Sequence, residues 1–264
     1  MLEVRDLYKT FNAGTINEKR AMNGLSLTLE DGDFVTVIGG NGAGKSTLLN
    51  LVAGVFPPDS GTISIDGQNV TKLPEHKRAK FIGRVFQDPM MGTAATMGIE
   101  ENLALAFRRG QGRGLRYGIT NAERKQYREK LAILDLGLED RLTSRVGLLS
   151  GGQRQALTLL MASLQRPKLL LLDEHTAALD PKTAAKVLAL SDKIVAENGL
   201  TTMMVTHNMK DAIAHGNRLV MLYEGRVVLD ISGEEKKRLT VENLLEQFNR
   251  VSGSQEADDK LLLS

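Results

Sequence analysis

Two stretches of this chain carry residue types from which a grip on phosphate can be built. The first is "GGNGAGKST", Gly39 to Thr47, with the pattern Gly39-x-x-x-x-Gly44-Lys45-Ser46. It follows the compact apolar run Phe34 to Ile38 and precedes a segment of helical pattern, Lys45 to Ala53. That strand–loop–helix context is what gives the pattern meaning. Gly39, Gly40, Asn41, Gly42, Ala43 and Gly44 let the backbone curl, so that successive N–H groups converge on a β-phosphate. The helix start adds partial positive charge. Lys45 can reach β and γ oxygens as a point charge, Ser46 can ligate Mg²⁺ through its hydroxyl, and Thr47 can donate to an α-phosphate. The second stretch is "LLSGGQRQALTL", Leu148 to Leu159, where a serine and two glycines open another helical pattern. Two phosphate clamps about a hundred residues apart in one chain need an explanation.

Further candidates follow downstream. "LLLLDEHTAALD" places Asp173 and Glu174 at the end of a short apolar run. In a doubly wound sheet ligands bind beyond the carboxyl ends of strands. There Asp173 can hold Mg²⁺ through water, and Glu174 can polarise a water aimed at a γ-phosphate. Phosphoryl transfer asks for placement and charge neutralisation more than covalent help. Gln87 follows the apolar segment Phe81 to Phe86, and its amide could join Mg²⁺ or the attacking water. His207 closes the apolar "TTMMVTH" and could bond the γ-phosphate or that water.

The elements that must position these groups are also readable. The first seventy residues alternate apolar and polar types around Asp-Gly turns at Asp31–Gly32 and Asp66–Gly67, a strand-rich pattern. From about Ile99 to Gln165 the pattern is helical. The second half alternates apolar strands with helices: "KLLLLD", a helix from Pro181 to Glu197, "TTMMVTH", "NMKDAIAHG", then the strand pair "RLVMLYEGRVVLDI". Near-continuous apolar strands between helices indicate a parallel sheet covered on both faces. "SGEE" from Ser232 offers a capping box for final amphipathic helices up to Phe248, and residues 251–264 read as a flexible tail. "RRGQGRGLRYG", Arg108 to Gly118, reads as a solvated basic loop or a contact for phosphate or an acidic partner.

Composition sets limits. Among 264 residues, 34 Lys+Arg face 32 Asp+Glu, a balance that argues against a nucleic-acid partner. With no cysteine, disulfides and thiolate metal sites are excluded. The start lacks a signal peptide's apolar core. The apolar runs fall far short of the ~20 residues that span a bilayer, so a membrane role needs a separate partner. No Asn-Lys-x-Asp guanine-reading pattern is present.

Taken in order and spacing, Gly39–Thr47, Gln87, "LSGGQ" at Leu149–Gln153, "LLLLDE" at Leu169–Glu174, "ALD" at Ala178–Asp180 and His207 resemble the ATP-binding subunits of ABC transporters over about residues 2–230. The resemblance implies an α/β phosphate-loop NTPase (RecA-like) fold with a mostly parallel sheet. It adds an N-terminal antiparallel β subdomain and an inserted α-helical subdomain at about 90–165, in one ATPase domain over 1–250. It also implies ATP and Mg²⁺, the latter at Ser46, Gln87 and Asp173, and hydrolysis with Glu174, His207, Lys45 and Gln87 as catalytic residues.

The resemblance explains the two clamps. It implies that two copies pack head to tail, with Leu149, Ser150, Gly151, Gly152 and Gln153 of one capping the ATP held by the other and Asp180 coupling the two sites. The resemblance also implies an aromatic residue ahead of the phosphate loop that stacks on adenine, for which Phe11 is the choice and Tyr8 the second. Implied partners are membrane permease subunits and, indirectly, an extracytoplasmic solute-binding protein, with the chain cytoplasmic and peripheral on the inner face of the membrane. "QDPMMGTAATMGIEENLALA", with Met90, Met91 and Met97, fits the part that docks on a permease. The chain departs from the family where Pro usually follows the acid pair: here stands His175, which could bond across the dimer, tune Glu174, or be a subgroup feature without catalytic meaning. "DEHTAALDPKTA" and "VTHNMKDAIAHGNRL" look similar to an importer subgroup associated with small organic solutes, aromatic amino acids among them. An exporter ATPase and a soluble ATPase in cofactor or cluster assembly are the alternatives.

Overall fold

The computed structural model describes residues 1–111 and 118–252. Most of the basic glycine-rich stretch and nearly all of the tail therefore lie outside the described residues. Two sheets organise the chain. The first comprises β1 (Leu2–Phe11), β2 (Lys19–Leu29), β4 (Ser60–Ile65) and β5 (Gln68–Asn69), antiparallel in the order β2-β1-β4-β5. The second has the order β10-β9-β3-β8-β7-β6, from β3 (Phe34–Ile38), β6 (Ile82–Val85), β7 (Leu169–Asp173), β8 (Thr202–Val205), β9 (Arg218–Tyr223) and β10 (Arg226–Ser232). It is parallel except at the β9–β10 hairpin.

The two Asp-Gly turns behave differently. Asp66 and Gly67 both have positive φ (52° and 74°) and close the β4–β5 hairpin. At Asp31–Gly32 the chain also turns, Asp33 N–H donating to Glu30 C=O at 3.1 Å, but β2 and β3 do not pair. The turn carries the chain from one sheet to the other. The reason lies in burial. β2 alternates, with one face in the core, whereas every residue of β3 is buried, as a central parallel strand requires.

Helix α1 (Lys45–Ala53) lies in the core shared by both sheets, with Leu48, Leu49, Leu51 and Val52 buried beside Leu7, Leu25, Val37 and Leu171. Helices α3 (Ile99–Phe107), α4 (Asn121–Ala132) and α5 (Gly151–Ser163) bury a separate cluster, including Leu103, Tyr127, Leu131 and Leu157. Helix α6 (Pro181–Asn198) covers β7 and β8 through Leu188, Ile194 and Val195. Helix α7 (Met209–Ala214) and the final helix α9 (Val241–Ser252) cover β9 through Met209, Ala212, Leu244 and Phe248. No helix among the described residues is long and apolar enough to cross a membrane.

Ser232 ends β10 and makes no side-chain cap to the short α8 (Gly233–Lys237). The reciprocal capping pair lies later, where Thr240 Oγ1 accepts from Asn243 N–H at 3.2 Å and Asn243 Oδ1 accepts from Thr240 N–H at 3.1 Å, ahead of α9.

One buried cation secures the rear of α1. Arg78, in the short α2 (Glu75–Arg78), is 1% exposed. It donates to the carbonyls of Leu51 and Val52, at 2.7 and 2.8 Å, and to Leu73 and Thr71 at 2.8 and 3.0 Å. Those first two belong to the last turn of α1, and Leu51 C=O also accepts from Gly54 N–H at 3.2 Å. Burial lowers the guanidinium pKa to about 10, still charged at neutral pH. Arg78→Ala takes a donor from four carbonyls, of which Leu51 C=O keeps Gly54 N–H, and a loss of about 2–4 kcal/mol is expected, read as a fall in the thermal midpoint; an unchanged midpoint would contradict this role.

Candidate functional site

The strand order brings the chemistry to one edge. β3, β8 and β7 lie side by side and point the same way, with Val37 opposite Val205 and Val205 opposite Asp173. The phosphate loop leaves β3, His207 follows β8, the acid pair ends β7, and Gln87 follows the neighbouring β6.

A cavity of about 190 Å³ sits at this edge, lined by Gly40 to Thr47, Lys19, Ala21 and Glu174. The loop that forms it is set by close backbone approach. Gly39 (φ 152°) has no room for a Cβ, which would lie 2.4 Å from Leu222 O, and at Gly44 (φ 105°) a Cβ would lie 2.7 Å from Ala21 O. The β9–β10 turn pins the loop further, Gly225 N–H donating to Ala43 C=O at 3.0 Å while its own C=O accepts from Asn23 N–H at 3.0 Å.

Lys45 is buried at the floor and donates through Nζ to Gly39 C=O at 2.7 Å and Gly40 C=O at 3.4 Å. Burial lowers its pKa, and the carboxylates of Glu174 and Asp173 oppose that shift. An ammonium held by carbonyls is poised to exchange them for phosphate oxygens.

The acid pair is clamped by different partners. Asp173 bonds Arg84 Nη2 at 3.1 Å, and the same nitrogen donates to Asn50 Oδ1 of α1 at 2.8 Å. Burial still raises the Asp173 carboxyl above the usual range, outweighing the guanidinium beside it. Glu174 takes a left-handed φ of 43°, and its N–H donates to Val205 C=O at 3.0 Å. Its carboxylate lies 3.5 Å from His207 Nδ1, an ion-pair distance rather than a short hydrogen bond. The imidazole lowers the Glu174 pKa, and Glu174 raises that of His207.

Of the three donors expected for Mg²⁺, Ser46 lines the cavity, while Asp173 is bonded to Arg84. No cluster of three or more metal-ligating side chains exists among the described residues. Mg²⁺ needs no such cage, because it takes a few protein oxygens and fills its octahedron with phosphate and water. The Ser46 hydroxyl, the Gln87 amide and the Asp173 carboxylate are hard oxygen donors of that kind.

The other predicted residues fall in distinct places. Gln87 is exposed in the loop beyond β6 and is absent from the cavity lining. Phe11 ends β1 opposite Lys19, which does line the cavity, but its ring packs edge-on against Phe56 at 5.3 Å. Tyr8 lies back along the strand, opposite Asn23.

Ser150 caps α5: its Oγ accepts from Gln153 N–H at 3.2 Å, and Gln153 Oε1 accepts from Ser150 N–H at 3.1 Å. Leu149 is buried, Ser150 and Gly151 are exposed, and Gly152 is buried where a Cβ would meet Thr183 Cγ2 of α6 at 2.2 Å. Ser150, Gly152 and Gln153 line a separate cavity with Thr183 and Lys186 of α6, not the one at the phosphate loop. Asp180 is the exposed N-cap of α6, accepting from Thr183 N–H at 3.1 Å.

Lys19 and Arg84 escaped sequence reasoning. Both sit in ordinary strand segments, and only the strand register puts one at the phosphate loop and the other against Asp173.

A phosphate loop at the carboxyl edge of a parallel sheet, with an acid pair two strands away at the same edge, defines a phosphate-loop NTPase. The ABC transporter family model matches residues 22–177, and the chain belongs to that family. It is 48% identical over 252 residues to a tyrosine transport ATP-binding protein of Clostridioides difficile, covering 94% of this chain and 98% of the relative. It is 36% identical to a lipoprotein-releasing system ATP-binding protein, LolD 1, of Caulobacter vibrioides, covering 88% and 96%. Among solved structures, the dimeric ATP-binding cassette MJ0796 in a post-hydrolysis state bound to ADP and Pi superposes with a TM-score of 0.74 at 30% identity, over 88% of this chain and 98% of that one. The chain is thus an ABC ATP-binding subunit with the cassette fold expected from its motifs.

Proposed function

We propose that this chain hydrolyses ATP as a head-to-tail dimer and thereby powers import of a small organic solute, an aromatic amino acid such as tyrosine, through separate permease subunits. The observation that carries this reading is the 48% identity to a tyrosine transport ATP-binding protein along nearly the full length of both chains. The lipoprotein-releasing relative supports an exporter as a second reading, at lower identity.

The geometry suggests how the residues share the work. The N–H groups of Gly40 to Lys45 and the Lys45 ammonium receive the β- and γ-phosphates. Thr47 receives the α-phosphate, and Phe11 takes the adenine by turning from Phe56. Ser46, Gln87 and Asp173 would hold Mg²⁺, which would neutralise phosphate charge. Glu174, kept ionised beside His207, orients a water in line with the γ-phosphate and accepts its proton. His207 bonds the γ-phosphate oxygen. Ser150, Gly151 and Gly152 of the second copy close over that phosphate with the N-terminus of α5. Hydrolysis removes the γ-phosphate that holds the two copies together, and the dimer opens. Exposed Met90 and Met91, with Met97 nearby, give a deformable apolar surface for the permease.

Ser150→Arg places a bulky cation at the cap. ATP binding is expected to persist while the ATP-dependent dimer is lost; normal dimerisation in sedimentation would refute the trans clamp. The functional reading as a whole is tested by copurification. A tagged Glu174→Gln chain is recovered from detergent-solubilised membranes with ATP and Mg²⁺. A polytopic membrane protein in stoichiometric amount is expected, and solute-uptake assays on the complex give cargo and direction. Soluble partners alone would overturn the transporter reading in favour of an assembly ATPase.

A further inference from the structure

Glu174 sits in a backbone conformation that non-glycine residues avoid, at a cost of roughly 1–2 kcal/mol, so its neighbours must hold it there. On one side Asp173 is tied to Arg84. On the other is His175, only 2% exposed. Its Nε2 lies 3.0 Å from Ser191 Oγ in the middle of α6. Ser191 in turn donates its single hydroxyl hydrogen to Val187 C=O at 2.9 Å. Ser191 can therefore only accept from the ring, and Nε2 carries the proton. Burial, and the neighbouring His215, lower the His175 pKa to about 4, so the ring is a neutral, fixed donor. It does not reach the surface and cannot bond across a dimer. The next residue of α6, Asp192, accepts from or pairs with His215 Nδ1 at 2.7 Å just beyond α7, the helix that follows His207. Successive residues of α6 thus brace the segments that follow β7 and β8, and the same helix begins at Asp180.

We infer that His175, through its hydrogen bond to Ser191, is a positioning residue that fixes the Glu174 carboxylate for water activation and ties it to α6. A proline at this place would restrict φ but supply no donor; the histidine anchors the turn by its side chain instead. The inference rests on the role proposed above for Glu174.

The test compares Ser191→Ala, His175→Leu, the double variant and His175→Gln with Glu174→Gln, measuring kcat, KM, nucleotide affinity and thermal midpoint for each. Leucine removes the donor and leaves Ser191 bonded to Val187; glutamine can present an amide N–H at the site of Nε2. The expected result is a fall in kcat of about tenfold in Ser191→Ala and His175→Leu, with KM and nucleotide affinity unchanged. The double variant should be no worse than either single one, and His175→Gln should recover most of the loss. If His175→Leu does not fold, Ser191→Ala carries the comparison. Wild-type kcat in these variants beside an inactive Glu174→Gln, or a lower thermal midpoint without a fall in kcat, would overturn the inference alone. Full turnover by Glu174→Gln would overturn the role of Glu174 and the inference with it.

Discussion

Glu174→Gln is expected to bind ATP with wild-type affinity and to hydrolyse it slower by about 10²–10⁴-fold, the usual share of a positioned general base. The substitution keeps the shape of the side chain. It removes the negative charge that lies 3.5 Å from His207 and that lines the phosphate cavity. A neutral amide can still bond a water but cannot take its proton. Binding should survive because the phosphate contacts come from the loop backbone and Lys45, on the other wall of the cavity. The check is phosphate release under saturating ATP, alongside titration with a fluorescent ATP analogue. Turnover near the wild-type rate would remove Glu174 as the base.

Lys45→Ala is expected to weaken ATP binding by about 10- to 100-fold, since a charge-assisted hydrogen bond contributes about 1.5–3 kcal/mol. Lys45 is the buried cation at the floor of the loop. Its removal also leaves the carbonyls of Gly39 and Gly40 without their donor, so circular dichroism should accompany the titration. An affinity equal to that of the unaltered chain would count against the phosphate-loop assignment.

Much of this site was legible because its residues act through local backbone. A glycine loop between strand and helix, a serine and two glycines opening a helix, and an acid pair ending an apolar strand are each confined to a few neighbouring positions. The compact apolar run Phe34 to Ile38 proves to be the fully buried β3, and the alternation ahead of it falls in β2. An Asp-Gly pair alone cannot separate the sheets, because the same dipeptide closes a hairpin at residue 66 and changes sheet at residue 31.

What stayed hidden depends on register between distant segments. Arg84 meets Asp173 only because β6 and β7 are parallel neighbours, with Arg84 opposite Leu171. Lys19 reaches the phosphate loop only because β2 runs beside it. Arg78 reads as one of several basic residues in "EHKR", yet it is sealed against the end of α1. The His175–Ser191 bond spans sixteen residues across a helix start, and neither residue type declares it.

In the proposed cycle ATP binds between two copies of this chain, the phosphate loop of one facing Ser150 of the other. The most direct measurement is analytical ultracentrifugation of the Glu174→Gln chain with ATP and Mg²⁺, with ADP, and without nucleotide. A dimer that forms with ATP and dissociates with ADP is the predicted result. A monomer at concentrations of ATP that saturate the binding site would contradict it.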